Sequence, residues 1–174
     1  MQEIKNESAI VHTDSLYVPM ARFVALLSVA ILAPAINVQF LTGTLVNATL
    51  FLSVVLIGVP AAVLIGIIPS LVSSVTGLLP AMMLPMVPFI ILSNALLIVT
   101  FSALRKRSYF RAVALASLIK FVSLSAVSSF VIGYFVPAKA ASSLAVMMSY
   151  PQLLTALSGG ILAYAVLGIL KKAD

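Results

Sequence analysis

Cysteine and tryptophan are absent from the 174 residues, and histidine occurs once, at His12. Without thiols there is no disulfide, no thiolate metal site and no cysteine nucleophile, and a single histidine leaves little scope for zinc. Acids are almost as scarce. Glu3, Glu7, Asp14 and Asp174 are the only four, so no carboxylate lies between residues 15 and 173. Proton- and sodium-coupled carriers usually keep Asp or Glu in their helices, which disfavours that class and leaves only carriers that use backbone carbonyls. A phosphate loop ending in Gly-Lys-Ser/Thr is also missing, so the chain does not hydrolyse ATP by that route. Intramembrane catalysis needs a nucleophile with its base, or a metal with ligands. The only charge well inside an apolar run is Lys120, and an enzyme is not expected.

Apolar residues dominate what is there: 63% are hydrophobic, 8% are charged and the mean hydropathy is +1.24. Such a composition predicts an all-α integral membrane bundle. A span needs roughly 20 residues, and cutting at charges, prolines and glycines gives six. They run over about Met20–Ile36, Phe40–Ile57, Ala61–Val75, Pro88–Leu104, Ala112–Tyr134 and Tyr150–Leu170. The opening residues, 1–18, are polar and lack the basic and apolar regions of a cleavable signal, so they read as a cytosolic tail ahead of a membrane domain over 19–174. With the N-terminus inside, the inner loops carry Lys5, Arg22, Arg105, Lys106, Arg107, Arg111, Lys171 and Lys172, against Lys139 alone outside. Cytoplasmic loops hold the excess of Lys and Arg, so both termini are expected in the cytoplasm of a multi-pass protein. Cations beside apolar runs set orientation, so the net charge of +6 does not imply a nucleic-acid partner.

One interruption lies in apolar surroundings. The stretch GLLPAMMLPMVPFIILSNALL, residues 77–97, carries Pro80, Pro85 and Pro88. Proline removes a backbone donor and clashes with the preceding turn, so these residues cannot form an ordinary lipid-facing helix. They read either as an apolar connector on the outer interface or as a re-entrant lid over an outward-facing pocket. Met82, Met83 and Met86 would give such a lid an adaptable lining.

Polar residues recur near the same, outer helix ends: Asn37, Gln39, Thr42 and Thr44, then Ser93 and Asn94, then Tyr150 and Gln152. Singly each fits an interfacial anchor or a helix–helix hydrogen bond. Together they fit the few placed polar groups of a small-molecule site. Lys120, nine residues beyond Arg111, lies about 13 Å along its helix, too deep to snorkel easily. It must be accommodated by backbone carbonyls, by hydroxyls such as Ser123 or Ser125, by loss of its charge, or by an anionic ligand. Small residues four apart mark close helix contacts: Ala21 with Ala25 in the first span, and Ala156 with Gly160 and Gly159 with Ala163 in the sixth.

Length, six spans, inside termini, the Ala21/Ala25 pair and the run PSLVSSVTGLLPAMMLPMVPFIILSNALL together resemble the substrate-binding S components of energy-coupling factor (ECF) transporters. The likeness covers nearly all of residues 18–172. It implies a subunit in the inner membrane of a prokaryote that captures a vitamin, cofactor or related small molecule. Its partners would be a transmembrane coupling subunit and two ATPase subunits, which hydrolyse ATP, while this chain binds no cofactor itself. The resemblance maps Ala21 and Ala25 onto the coupling contact, gives the Pro80–Pro88 stretch the role of ligand cap, and sets the site toward the outer side. The candidate ligand residues are then Asn37, Gln39, Asn94, Lys120, Tyr150 and Gln152. A small homo-oligomeric channel or carrier, or a scaffold without ligand, is the alternative.

Overall fold

In a bilayer each backbone donor and acceptor has to be satisfied within the chain, which an α-helix does alone. The computed structural model describes residues 2–173, with side chains over 17–139 and 141–172, and every regular element among them is helical. The α-helices are α1 (Gln2–Leu32), α2 (Gln39–Leu56), α3 (Val59–Val75), α4 (Val87–Leu104), α5 (Tyr109–Phe135), α6 (Ala138–Met147) and α7 (Tyr150–Ala173), with 3-10 turns over Ala33–Ile36 and Ala81–Met86. Five helical stretches are long and apolar enough to cross a membrane, and α3 is apolar but, at 17 residues, shorter.

Helices α2 to α5 and α7 begin and end within three residues of the expected spans. Two elements differ. Residues 2–18, expected as a tail, are helical and belong to α1, which continues through Pro19 without a break. The side chains of Glu3, Glu7, His12 and Asp14 lie outside those described. The second difference is α6, whose ten residues were expected as loop. Ala and Leu are strong helix formers, and Pro137 precedes the first turn.

The outer surface differs from that of a water-soluble bundle, while the core remains mostly apolar. Val24, Leu64, Leu92, Val99, Leu118, Val122 and Ile161 are exposed, while Asn47, Asn94, Ser117, Lys120 and Thr155 are buried. Large apolar side chains facing outward all round, over a partly polar interior, suit lipid as the surrounding medium.

Glycines bring α7 against two neighbours. A Cβ on Gly159 would stand 2.7 Å from the Asn47 Cβ and 2.8 Å from the Ala48 backbone nitrogen, and one on Gly43 would stand 2.9 Å from Thr155. Gly160 meets Val113 of α5 as closely, and Ala156 and Ala163 are fully buried. The small residues of the sixth span are therefore bundle contacts. Ala21 and Ala25 differ, being exposed on the outer face of α1.

The residue-77–97 segment is packed. After Gly77, at φ +73°, it forms the 3-10 turn, and Pro88 then occupies the first turn of α4, where a missing N–H costs nothing. Met83 and Met86 are buried with Leu124, Val131, Leu144 and Met148 in an apolar cluster contributed by α5, α6 and the α6–α7 turn.

Candidate functional site

A cavity of about 260 Å³ reaches from one end of the bundle inward to Lys120. The elements that form it are the turn before α2 and the N-terminal halves of α2, α4 and α7, together with the C-terminal part of α3, the proline segment, Lys120 of α5 and Met147 at the end of α6. Its rim includes Asn37, Gln39, Pro80 and Gln152, and its inner wall Asn47, Asn94 and Lys120.

The rim is fixed by local geometry. Asn37 is the one non-glycine residue at positive φ (+56°) among the described residues, a conformation that Asn tolerates better than most, and its N–H closes the 3-10 turn on the Pro34 carbonyl at 3.1 Å. Gln39 and Gln152 each donate from Nε2 to the Met147 carbonyl at 3.0 Å. They tie the start of α2 and the start of α7 to the end of α6. The Thr42 hydroxyl donates to the Ala33 carbonyl at 2.9 Å.

At the inner end, Lys120 of α5 is only 4% exposed. Its Nζ donates to Asn47 Oδ1 of α2 and to Asn94 Oδ1 of α4, both at 2.7 Å. The two amides are oriented from behind. Asn47 Nδ2 donates to the Gly43 carbonyl at 2.8 Å and to Thr155 Oγ1 at 3.4 Å, and Asn94 Nδ2 donates to the Gly66 carbonyl at 3.1 Å. With both NH2 groups engaged, only the oxygens can face the lysine. An ammonium has three donors; two are held by protein, and the third has no protein acceptor among the described residues.

Of the accommodations expected for Lys120, the two named hydroxyls are not used. The Ser123 hydroxyl donates to the backbone carbonyl of Lys120 at 2.9 Å, and Ser125 donates to the Met148 carbonyl at 3.2 Å, so neither hydroxyl serves the ammonium. Of the residues expected at a site, Asn37, Gln39, Asn94, Lys120, Gln152 and Pro80 line the cavity. Tyr150, 61% exposed, and Pro85 and Pro88 do not. Met83 is the methionine of the proline segment that does.

Asn47 and Thr155 add to the polar wall beyond the expected residues, as do Ser70 and Ser73. A signal was present: Gln39, Gly43 and Asn47 recur every four residues, and Gln152, Thr155 and Gly159 at three and four, so each set forms one stripe on its helix. The two stripes face each other across α2 and α7.

No family model, curated protein or solved structure matches the chain. The likeness to S components rests on the sequence features alone.

Proposed function

We propose that the protein is a membrane-embedded substrate-capture subunit of an ATP-driven importer of the ECF type, working in the inner membrane of a prokaryote. On this reading a vitamin, cofactor or related small molecule enters the cavity from the outer side and presents an anionic group to Lys120. The observation that carries the reading is the cavity ending on a lysine with one donor uncommitted. A mostly apolar hollow with a few convergent polar groups is the usual form of a small-molecule site, and 260 Å³ lies just below the usual range of about 300–1,000 Å³. No carboxylate lies between residues 15 and 173 to compete with an anionic ligand group for the lysine. Orientation follows from the excess of cations at the opposite helix ends.

Energy would come from partners. The exposed Ala21 and Ala25 are one helical turn apart and leave a shallow face on α1 against which another helix can pack closely. The chain is reconstituted in vesicles with a coupling subunit and two ATPase subunits, with Ala21→Trp and Ala25→Trp alongside. The reading expects ATP-dependent uptake by the wild type, and variants that still bind ligand but neither assemble nor transport. Unaltered assembly of both variants would move the docking face elsewhere. A defined homo-oligomer that passes solute without ATPase subunits would favour the channel reading.

A further inference from the structure

A second cavity, of about 360 Å³, lies at the other end of the bundle. Arg105, Lys106 and Lys171 line it together with Tyr109, Tyr164 and Val55. Arg105 follows the last residue of α4, Lys106 lies in the α4–α5 turn and Lys171 in the last turn of α7. These are the positions at which the apolar helices end, the depth of lipid headgroups.

Snorkelling alone would send such cations into water or headgroups with their polar atoms solvated. Arg105 departs from that pattern. Its Nε is buried and has no hydrogen-bond partner, although the residue as a whole is only partly buried, so that one donor lacks the acceptor a buried donor requires. The tyrosines are walls. Tyr109 spends its hydroxyl on the Gly160 carbonyl at 2.9 Å, and its ring packs against Tyr164 at 5.2 Å between centroids. Cations, aromatic rings and apolar side chains thus line one cavity.

We infer that this cavity binds the phosphodiester headgroup of an anionic phospholipid, with Arg105 and Lys171 gripping the phosphate oxygens and the aromatic and apolar side chains receiving the adjoining glycerol and acyl carbons. Arginine matches phosphate geometry with two parallel donors, and basic pockets between helices on the cytoplasmic side are suited to such headgroups. The site is independent of the ligand cavity and of the importer reading.

The full chain in detergent is mixed with phosphatidylglycerol, with phosphatidylcholine or with inorganic phosphate, and retained lipid is read by native mass spectrometry. Each cation near an anionic surface is worth about fivefold in affinity, about 1 kcal/mol. Phosphatidylglycerol should be retained at least tenfold better than phosphatidylcholine, and Arg105→Gln/Lys171→Gln should weaken it roughly 30-fold. The charge-preserving Arg105→Lys/Lys171→Arg pair should keep most of the preference and so report on folding. Equal retention of the two lipids, or no loss in the Gln pair, would overturn the inference. Competition by millimolar inorganic phosphate that strips the phosphatidylglycerol would also overturn it, in favour of a free-phosphate site.

Discussion

Replacing Asn94 with Ala and Lys120 with Met tests the buried clamp from its two sides, and the geometry makes the outcomes unequal. Asn94→Ala takes one of two protein acceptors from a nearly inaccessible ammonium and leaves the Gly66 carbonyl without its 3.1 Å donor. A hydrogen bond to a charged group is worth about 1.5–3 kcal/mol, and the Gly66 carbonyl keeps its place in the α3 ladder, so a loss of about 2–3 kcal/mol is expected. Lys120→Met orphans two amide oxygens at about 1–3 kcal/mol each. It also removes a lysine whose insertion near the bilayer centre costs about 2.5–3.5 kcal/mol. The two effects largely offset, leaving anything from a gain of about 1 kcal/mol to a loss of about 3 kcal/mol. The sharper expectation concerns the double variant: once Asn94 is gone, Lys120→Met removes a poorly held charge and should raise stability. Unfolding of all four proteins in one detergent, followed by circular dichroism, closes the cycle. If Lys120→Met destabilises the Asn94→Ala protein as much as it does the wild type, the two side chains are uncoupled and the clamp is refuted.

Gly159→Leu should prevent close approach of α7 to α2, because the first added carbon already stands 2.7 Å from Asn47 and 2.8 Å from backbone; thermal unfolding should show a large loss, while Gly168→Ala, in open space, should be neutral or slightly stabilising. Cysteines introduced at Ser108 and Ser142, in a chain with none of its own, should react with an impermeant reagent from opposite faces of the membrane, Ser108 from the cytoplasm; labelling of both from one side would remove the six-span topology. Pro85→Ala/Pro88→Ala should lengthen regular helix into the segment that carries Met83 to the cavity, changing ligand association and release severalfold by stopped-flow fluorescence with little change in unfolding; unchanged rates would make the segment a connector only.

Most of the fold was legible because apolar length, proline and cations mark helix ends directly. Pro60 and Pro88 stand in first turns and Arg105 just past a last one. The helix α6 was not, since AKAASSLAVM lacks the length and the apolar excess of a span, and its place is set by packing of Leu144 and Met148 against Met86 and Leu124. The site was half legible. Lys120 and Asn94 are conspicuous as polar groups in apolar runs, yet that the lysine would choose two amides over nearby serines depends on α2 and α4 both facing α5, which no local pattern reports. Tyr150 and Gln152 illustrate another limit. Two residues apart on a helix are separated by about 200° of rotation, so only one could face the cavity, and Gln152 does. Polar character alone could not say which.

The central claim, that the cavity holds a small anion on Lys120, is tested most directly by denaturing protein purified from its native membrane and identifying what is released by mass spectrometry, for the wild type and for Lys120→Met in parallel. The account predicts a small molecule bearing a carboxylate or phosphate, near one equivalent per wild-type chain and depleted tenfold or more from a folded Lys120→Met protein, the loss of one charge-assisted hydrogen bond worth about 1.5–3 kcal/mol. A neutral or cationic ligand, or an anion retained equally by both proteins, would contradict it.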